Sequence, residues 1–288
     1  MIQSLFSPKR MRLYALLSLL SQVLLVVTGG FVRLTGSGLG CPTWPNCTDE
    51  SLVTVPAMGI HGIIEFTNRM LTFALLVIAL LTIVVAWKLR KSTGVKVFGL
   101  SLVLLAGIPA QAVLGGFTVL TKLDPWFVGA HFVLSGILIA VASVLYIRTL
   151  IGASTRHYTW ISLTILLVGW VAVLVGIVVT GAGPHAGDAH SPRNGLNLDL
   201  WQHIHSWPAY LTLVLVVYQT LRLRSAVKTG SQLQLRVSYL LLGALVVQAA
   251  IGVLQARLGV PIGLVAIHML GASTLISLLQ INFSLSRR

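Results

Sequence analysis

The chain has 288 residues, of which 56% are hydrophobic and 9% charged, and its formal net charge is +14. A soluble domain carries about 25% charged residues, so this composition excludes an ordinary water-soluble fold and points to an integral membrane protein. The positive charge alone would suit a nucleic-acid binder, but 15 of the 20 Lys and Arg lie at the termini or in three short connectors, and that distribution excludes it.

Eight apolar runs are long enough to supply the roughly 20 helical residues that a bilayer crossing needs. Their charge-free cores are residues 13–31, 70–87, 97–121 and 126–147 in the first half, and 158–182, 200–221, 237–256 and 258–285 in the second. The second core is short, so its helix is expected to begin near Gly59. The first run follows Lys9, Arg10 and Arg12 as a signal peptide would, but it exceeds an h-region and no small-residue cleavage site follows, so it reads as a retained span. The predicted fold class is an all-α integral membrane protein, with eight transmembrane helices as two pseudo-symmetric four-helix bundles. The halves are residues 1–150 and 158–288, joined by the polar stretch 151–157.

Basic residues recur at every second connection: Lys9, Arg10 and Arg12; Lys88, Arg90, Lys91 and Lys96; Arg148 and Arg156; Arg222, Arg224, Lys228 and Arg236; Arg287 and Arg288. The positive-inside rule then places both termini in the cytoplasm of a bacterial cell. Asp49, Glu50, Asp124, Asp188 and Asp199 fall in the alternate, outer connections, and the sixth acidic residue, Glu65, falls within a helix. Cys41 and Cys47, the two cysteines, share the long outer loop 35–60, on the oxidising side, so a disulfide is plausible. As a staple it would hold the loop over the helices, and as a redox pair it could exchange electrons with a thiol partner. The spacing is not CxxC, which favours the staple.

The chain contains an internal duplication. Gln111 and Gln248 each open a Gln-Ala pair, have a Gly four residues on (Gly115, Gly252), and are followed 20 residues later by a histidine, His131 or His268. The offset of 137 also sets His205 on Asn68 and Gln202 on Glu65. The first and fifth spans match at offset 145, through Thr35-Gly-Ser-Gly38 and Thr180-Gly-Ala-Gly183. Repeated halves with polar residues at matched depth are the mark of a duplicated membrane unit.

His131, His205 and His268 lie in the first turns of three helices that enter from the outer side. A polar ring inside a membrane is costly unless it has a partner, so three at matched depth point to function over packing against a carbonyl or headgroup. Neutral imidazole binds haem iron, and His205 and His268, in one half, form a candidate bis-histidine pair. Zinc would want closely spaced Cys or His, and the spans hold none. His203 points to another helix face, His157 reads as cytoplasmic, and His185 and His190 sit beside Asp188 in the second outer loop. His61, Glu65 and Arg69 share one helix face. Glu65 and Arg69 either neutralise one another or present a carboxylate that stabilises developing positive charge. Arg33 and Arg257, at outer helix ends, either bind haem propionates or snorkel to the surface.

Residues 31–47 read FVRLTGSGLGCPTWPNC, residues 179–188 read VTGAGPHAGD, residues 64–69 read IEFTNR and residues 202–205 read QHIH. With the two Gln…His copies, these resemble the haem A synthase family over the whole chain. The resemblance implies eight helices in two similar halves, and oxidation of a methyl group of haem O to a formyl group, with haem b as cofactor, for terminal oxidase assembly. It implies His205 and His268 as axial ligands of the resident haem b, His131 as a ligand of the substrate haem, and Glu65 as the functional glutamate. Haem O synthase is the expected source of substrate, with the electron donor unassigned and association of copies possible. Family members often carry an ExxHR pattern where this chain has Asn68, so substrate haem is expected on His131 alone, or on His131 and His61 in a tilted pose. Two rival readings are a di-haem b-type electron-transfer cytochrome and a haem carrier or transporter. The cytochrome leaves a buried Glu65 and the asymmetry of the two halves unexplained.

Overall fold

The computed structural model describes residues 6–151, 159–225 and 232–286. Arg156, His157, Lys228, Arg287 and Arg288, all assigned to the cytoplasmic side on sequence, lie outside the described residues, as does most of the joint 151–157.

The described residues are helical, without a strand. The order is α1 (Pro8–Leu34), a 3-10 turn (Pro56–Met58), α2 (Gly59–Lys88), α3 (Arg90–Thr93), α4 (Val95–Leu120), α5 (Pro125–Ile151), α6 (Trp160–Ala182), α7 (Leu198–Ser225), α8 (Gln232–Arg257) and α9 (Ile262–Leu285). Local chemistry sets the ends. Ser7 Oγ accepts from the Arg10 N–H at 3.3 Å, with Pro8 in the first helical position. Asp124 Oδ1 accepts from the N–H of Trp126 and Phe127 at the start of α5, and Asn197 Oδ1 accepts from that of Leu200 in α7.

Two connections take defined local structure. The short α3 occupies the connector between α2 and α4. The last apolar run opens with a tight turn: Gly259 and Val260 have φ of +73° and +62°, and Pro261 follows, so α9 starts at Ile262. Left-handed backbone followed by proline ends one helix and opens the next, and apolarity alone does not record it.

Seven of the helices are long and apolar enough to cross a membrane. The long helix outside that set is α7, which has 28 residues but carries Asp199, Gln202, His203, His205, Gln219, Arg222 and Arg224.

In the first half α1 packs on α2 and α5, and α4 on α2 and α5; in the second, α6 packs on α7 and α9, and α8 on α7 and α9. The halves meet where α9 packs on α1 and α5, and α5 on α6. One buried apolar cluster uses the early part of α1 (Met11, Ala15, Leu19), the end of α2 (Val85, Ala86) and the later part of α5 (Leu138, Ile139, Ala142, Leu145). A second joins Ile161 and Ile165 of α6 to Val216, Leu241 and Leu279. Both lie toward the helix ends opposite those that carry the three histidines.

Candidate functional site

His205 on α7 and His268 on α9 bring their rings to a centroid separation of 6.4 Å, with the planes 73° apart. Two imidazole nitrogens, each about 2 Å from one shared metal, place the ring centroids roughly 6 Å apart. The spacing therefore accommodates one metal centre. Nδ1 of each ring is buried; that of His268, like that of His131 on α5, has no hydrogen-bond partner, while the His205 ring faces the Ala172 backbone. An unsatisfied buried polar atom costs about 1–3 kcal/mol, and that cost recurs at the matched histidines of the two halves.

Each ring is seated on a glycine of the preceding helix. A Cβ on Gly115 would lie 3.2 Å from His131 Cε1, on Gly176 2.9 Å from His205 Cε1, and on Gly252 3.3 Å from His268 Cε1. Gln248 Nε2 donates to the His268 carbonyl at 2.9 Å, and Gln111 Nε2 to the His131 carbonyl at 3.3 Å and to Ser135 Oγ at 2.7 Å. The Gln-x3-Gly…His repeat thus has a geometric content. Glutamine and glycine lie one turn apart on one helix face; the amide grips the backbone of the next helix and the glycine makes room for its ring.

The fourth matched position is Asn68 on α2. Its Oδ1 is also buried and unpartnered, and Nδ2 would lie 4.0 Å from a Cβ on Gly29 of α1. His61, seven residues earlier, is exposed, with Nδ1 2.9 Å from Ser37 Oγ. It lines an outer cavity of about 520 Å³ with Gly36, Leu39, Gly40, Pro42, Met58 and Asp188.

Glu65 is 6% exposed and pairs with Arg69, whose Nη2 lies 2.5 Å from Oε1. Its Oε2 accepts from the backbone N–H of Cys41 at 2.6 Å. Arg69 spends its other donors on the same loop: on the Cys41 carbonyl at 3.0 Å and on those of Thr43 and Asn46 at 3.3 Å. Cys41 and Cys47 are joined by a disulfide and both are fully buried. From that loop Trp44 reaches Gly116 on α4, where a Cβ would meet its indole at 2.5 Å. The neighbouring Gly115 seats His131. The loop therefore touches both the carboxylate on α2 and the helix that carries the histidine's seat.

Arg33 donates through Nε to the His185 carbonyl at 2.6 Å and through Nη2 to the Thr180 carbonyl at 2.8 Å, tying α1 to the second outer loop. His185 Nε2 lies 2.8 Å from the Val260 carbonyl, which connects that loop to the α8–α9 turn. Arg257 is exposed at the end of α8. His203 is exposed and its Nδ1 bonds the Asp199 carbonyl of its own helix, while His190 is exposed on the loop. Sequence reasoning did not single out Gly29, Gly176, Ser37 or Trp44. The pairing of Gly115 and Gly252 with histidines was a signal that could have led to the first two.

The sequence profile of the family described as COX15-CtaA, cytochrome oxidase assembly protein, matches residues 12–280. The chain is 26% identical over 312 aligned positions to a heme A synthase of Shewanella oneidensis, covering 93% of this chain and 94% of that one. It is 30% identical over 153 positions to a heme A synthase of Alkalihalophilus pseudofirmus, covering 52% of this chain and 50% of the relative. With a heme A synthase of Bacillus pumilus the identity is 30% over 155 positions, covering 52% and 47%. The second and third alignments thus span about half of those relatives, whereas the family profile and the first relative run nearly end to end. The chain belongs to the COX15-CtaA family of cytochrome oxidase assembly proteins.

Proposed function

We propose that this chain is a haem A synthase, a membrane oxidoreductase that oxidises a methyl group of haem O to a formyl group and so supplies haem A to a terminal oxidase. The relatives bear that name. The observation in this chain that carries the reading is the pair His205 and His268, with ring centroids 6.4 Å apart. The residues fit a bis-imidazole haem: two rings at one metal's spacing, a buried nitrogen on each, and a glycine seat behind each. Haem b bound there would supply one-electron redox chemistry.

In this reading the second half, residues 158–288, holds the resident haem b and the first half, residues 1–150, holds haem O on His131. Glu65 pairs with Arg69 and accepts from the Cys41 N–H, and its carboxyl group is placed to stabilise positive charge that develops at the methyl carbon being oxidised. The disulfide-closed loop covers Glu65, which is 6% exposed. Arg33 and Arg257 remain the candidates for propionate contacts, with the free edge of Arg33 the more restricted of the two.

We also infer that α7 is an eighth span, which completes two four-helix bundles with both termini in the cytoplasm. Its polar residues concentrate at its two ends, and Trp207, Leu211, Val214 and Val217 form an exposed apolar stripe at helical spacing between them. Haem O synthase is the expected upstream partner.

The test is pigment extraction from cells that carry this gene beside a source of haem O. Haem A should appear in the extract. Extracts that contain haem O and haem b without haem A would favour the electron-transfer or carrier reading instead.

A further inference from the structure

Four matched positions of the duplicated chain carry polar side chains on membrane helices, and three of them are histidine. The fourth, Asn68, shares two features of the set. It has a glycine on the preceding helix, Gly29, as His131, His205 and His268 have Gly115, Gly176 and Gly252. It also has a buried polar atom without a partner, Oδ1. Its relation to His131 repeats that of His205 to His268. Each of α2 and α5 packs on α1 and α4, and each of α7 and α9 packs on α6 and α8, so the two residues of each pair come from opposite corners of their half.

A carboxamide is a poor ligand for iron, but its NH2 group is a good hydrogen-bond donor. His61 does not stand in for the missing imidazole. It lies seven residues earlier on α2, about 10 Å along the axis, and its ring is turned to Ser37 in the outer cavity. Resting on the two-site reading above, we propose that a haem in the first half is held by His131 alone, and that Asn68 faces the open position on its iron. That position is a binding site for a small uncharged diatomic ligand such as dioxygen, to which Asn68 donates a hydrogen bond once its amide is turned so that Oδ1 takes the place of Nδ2 on the Gly29 side. The second half, with two imidazoles, is closed to such ligands. The asymmetry then divides the work: one iron binds gas and the other passes electrons.

The experiment uses the full chain, purified in detergent from cells that supply haem O, with haem content measured per polypeptide and carbon monoxide as the probe. Reduced protein with both sites loaded should give a carbon monoxide difference spectrum equivalent to one site per chain. Asn68→His should abolish that spectrum and convert the first-half haem to a six-coordinate low-spin form. Asn68→Leu should keep carbon monoxide binding but raise the C–O stretching frequency, because the amide donor is gone. Fully loaded wild type that binds no carbon monoxide overturns the inference, and recovery of binding in His61→Ala would then identify His61 as the second ligand. Binding that persists unchanged in Asn68→His overturns it as well. Protein that never exceeds one haem per chain in the presence of haem O refutes the two-site reading itself, and this inference with it.

Discussion

The backbone N–H of Cys41 donates to Oε2 of Glu65 over 2.6 Å. A carboxylate on a membrane helix and the first residue of a disulfide loop are thereby one unit, and Arg69 completes it by holding Oε1 and three loop carbonyls together. Removing one partner of such a buried pair leaves the other charge exposed to an apolar surrounding, which costs about 3–5 kcal/mol.

Glu65→Gln removes the charge and keeps the shape. It is expected to lose nearly all haem A formation while the resident b-type spectrum stays unchanged, read by pigment extraction and by reduced-minus-oxidised spectra. Arg69→Lys should follow it in part, since an ammonium cannot serve the carboxylate and three carbonyls with one planar fork. Full activity in Glu65→Gln would reduce the residue to a counter-charge for Arg69.

The disulfide is separable from the carboxylate. Closing a ring of this size contributes about 2 kcal/mol in the chain-entropy estimate. Replacing both Cys41 and Cys47 by Ala should therefore lower the thermal unfolding temperature and leave a large share of turnover, because Arg69 still grips the loop. Turnover lost at unchanged thermal stability would instead mark the pair as an electron-transfer element.

His205→Ala and His268→Ala should each abolish or shift the low-spin b-type spectrum of the purified protein, because a methyl group cannot ligate iron. His131→Ala should leave that spectrum in place and stop haem A formation. If the spectrum survives unaltered in both His205→Ala and His268→Ala, the resident haem is held elsewhere.

Gly176→Ala tests the seat behind His205. The new Cβ would stand 2.9 Å from Cε1 of the ring, closer than real contacts allow, so the ring must move. The expected result is a shifted spectrum or reduced haem content. Gly243→Ala, at a helical glycine with nothing within 4 Å of its Cβ position, is the matched control and should leave the spectrum as it is. Equal spectra in the two variants would remove any positioning role from Gly176.

Hydropathy, charge spacing and the offset of 137 were sufficient to outline the helices, the duplication, the three histidines and the odd Asn68. These are local or periodic properties, and a membrane imposes them strongly because every span must satisfy its own backbone. At α7 they outlined the helix, although its polar residues dilute the hydropathy and leave it outside the seven helices apolar enough to cross a membrane. They could not distinguish Arg33 from Arg257. Both sit at outer helix ends, yet one is bonded to carbonyls more than 140 residues away and the other is exposed.

What the tertiary structure alone decided is which groups meet. Cys41 closes on a carboxylate 24 residues later, Trp44 reaches α4, Ser37 takes the ring of His61, and Gly176 makes room for His205. Each of these is a contact between elements, and its geometry depends on how helices pack against one another. A sequence records the face that a residue occupies on its own helix; the partner that face will find is set by packing.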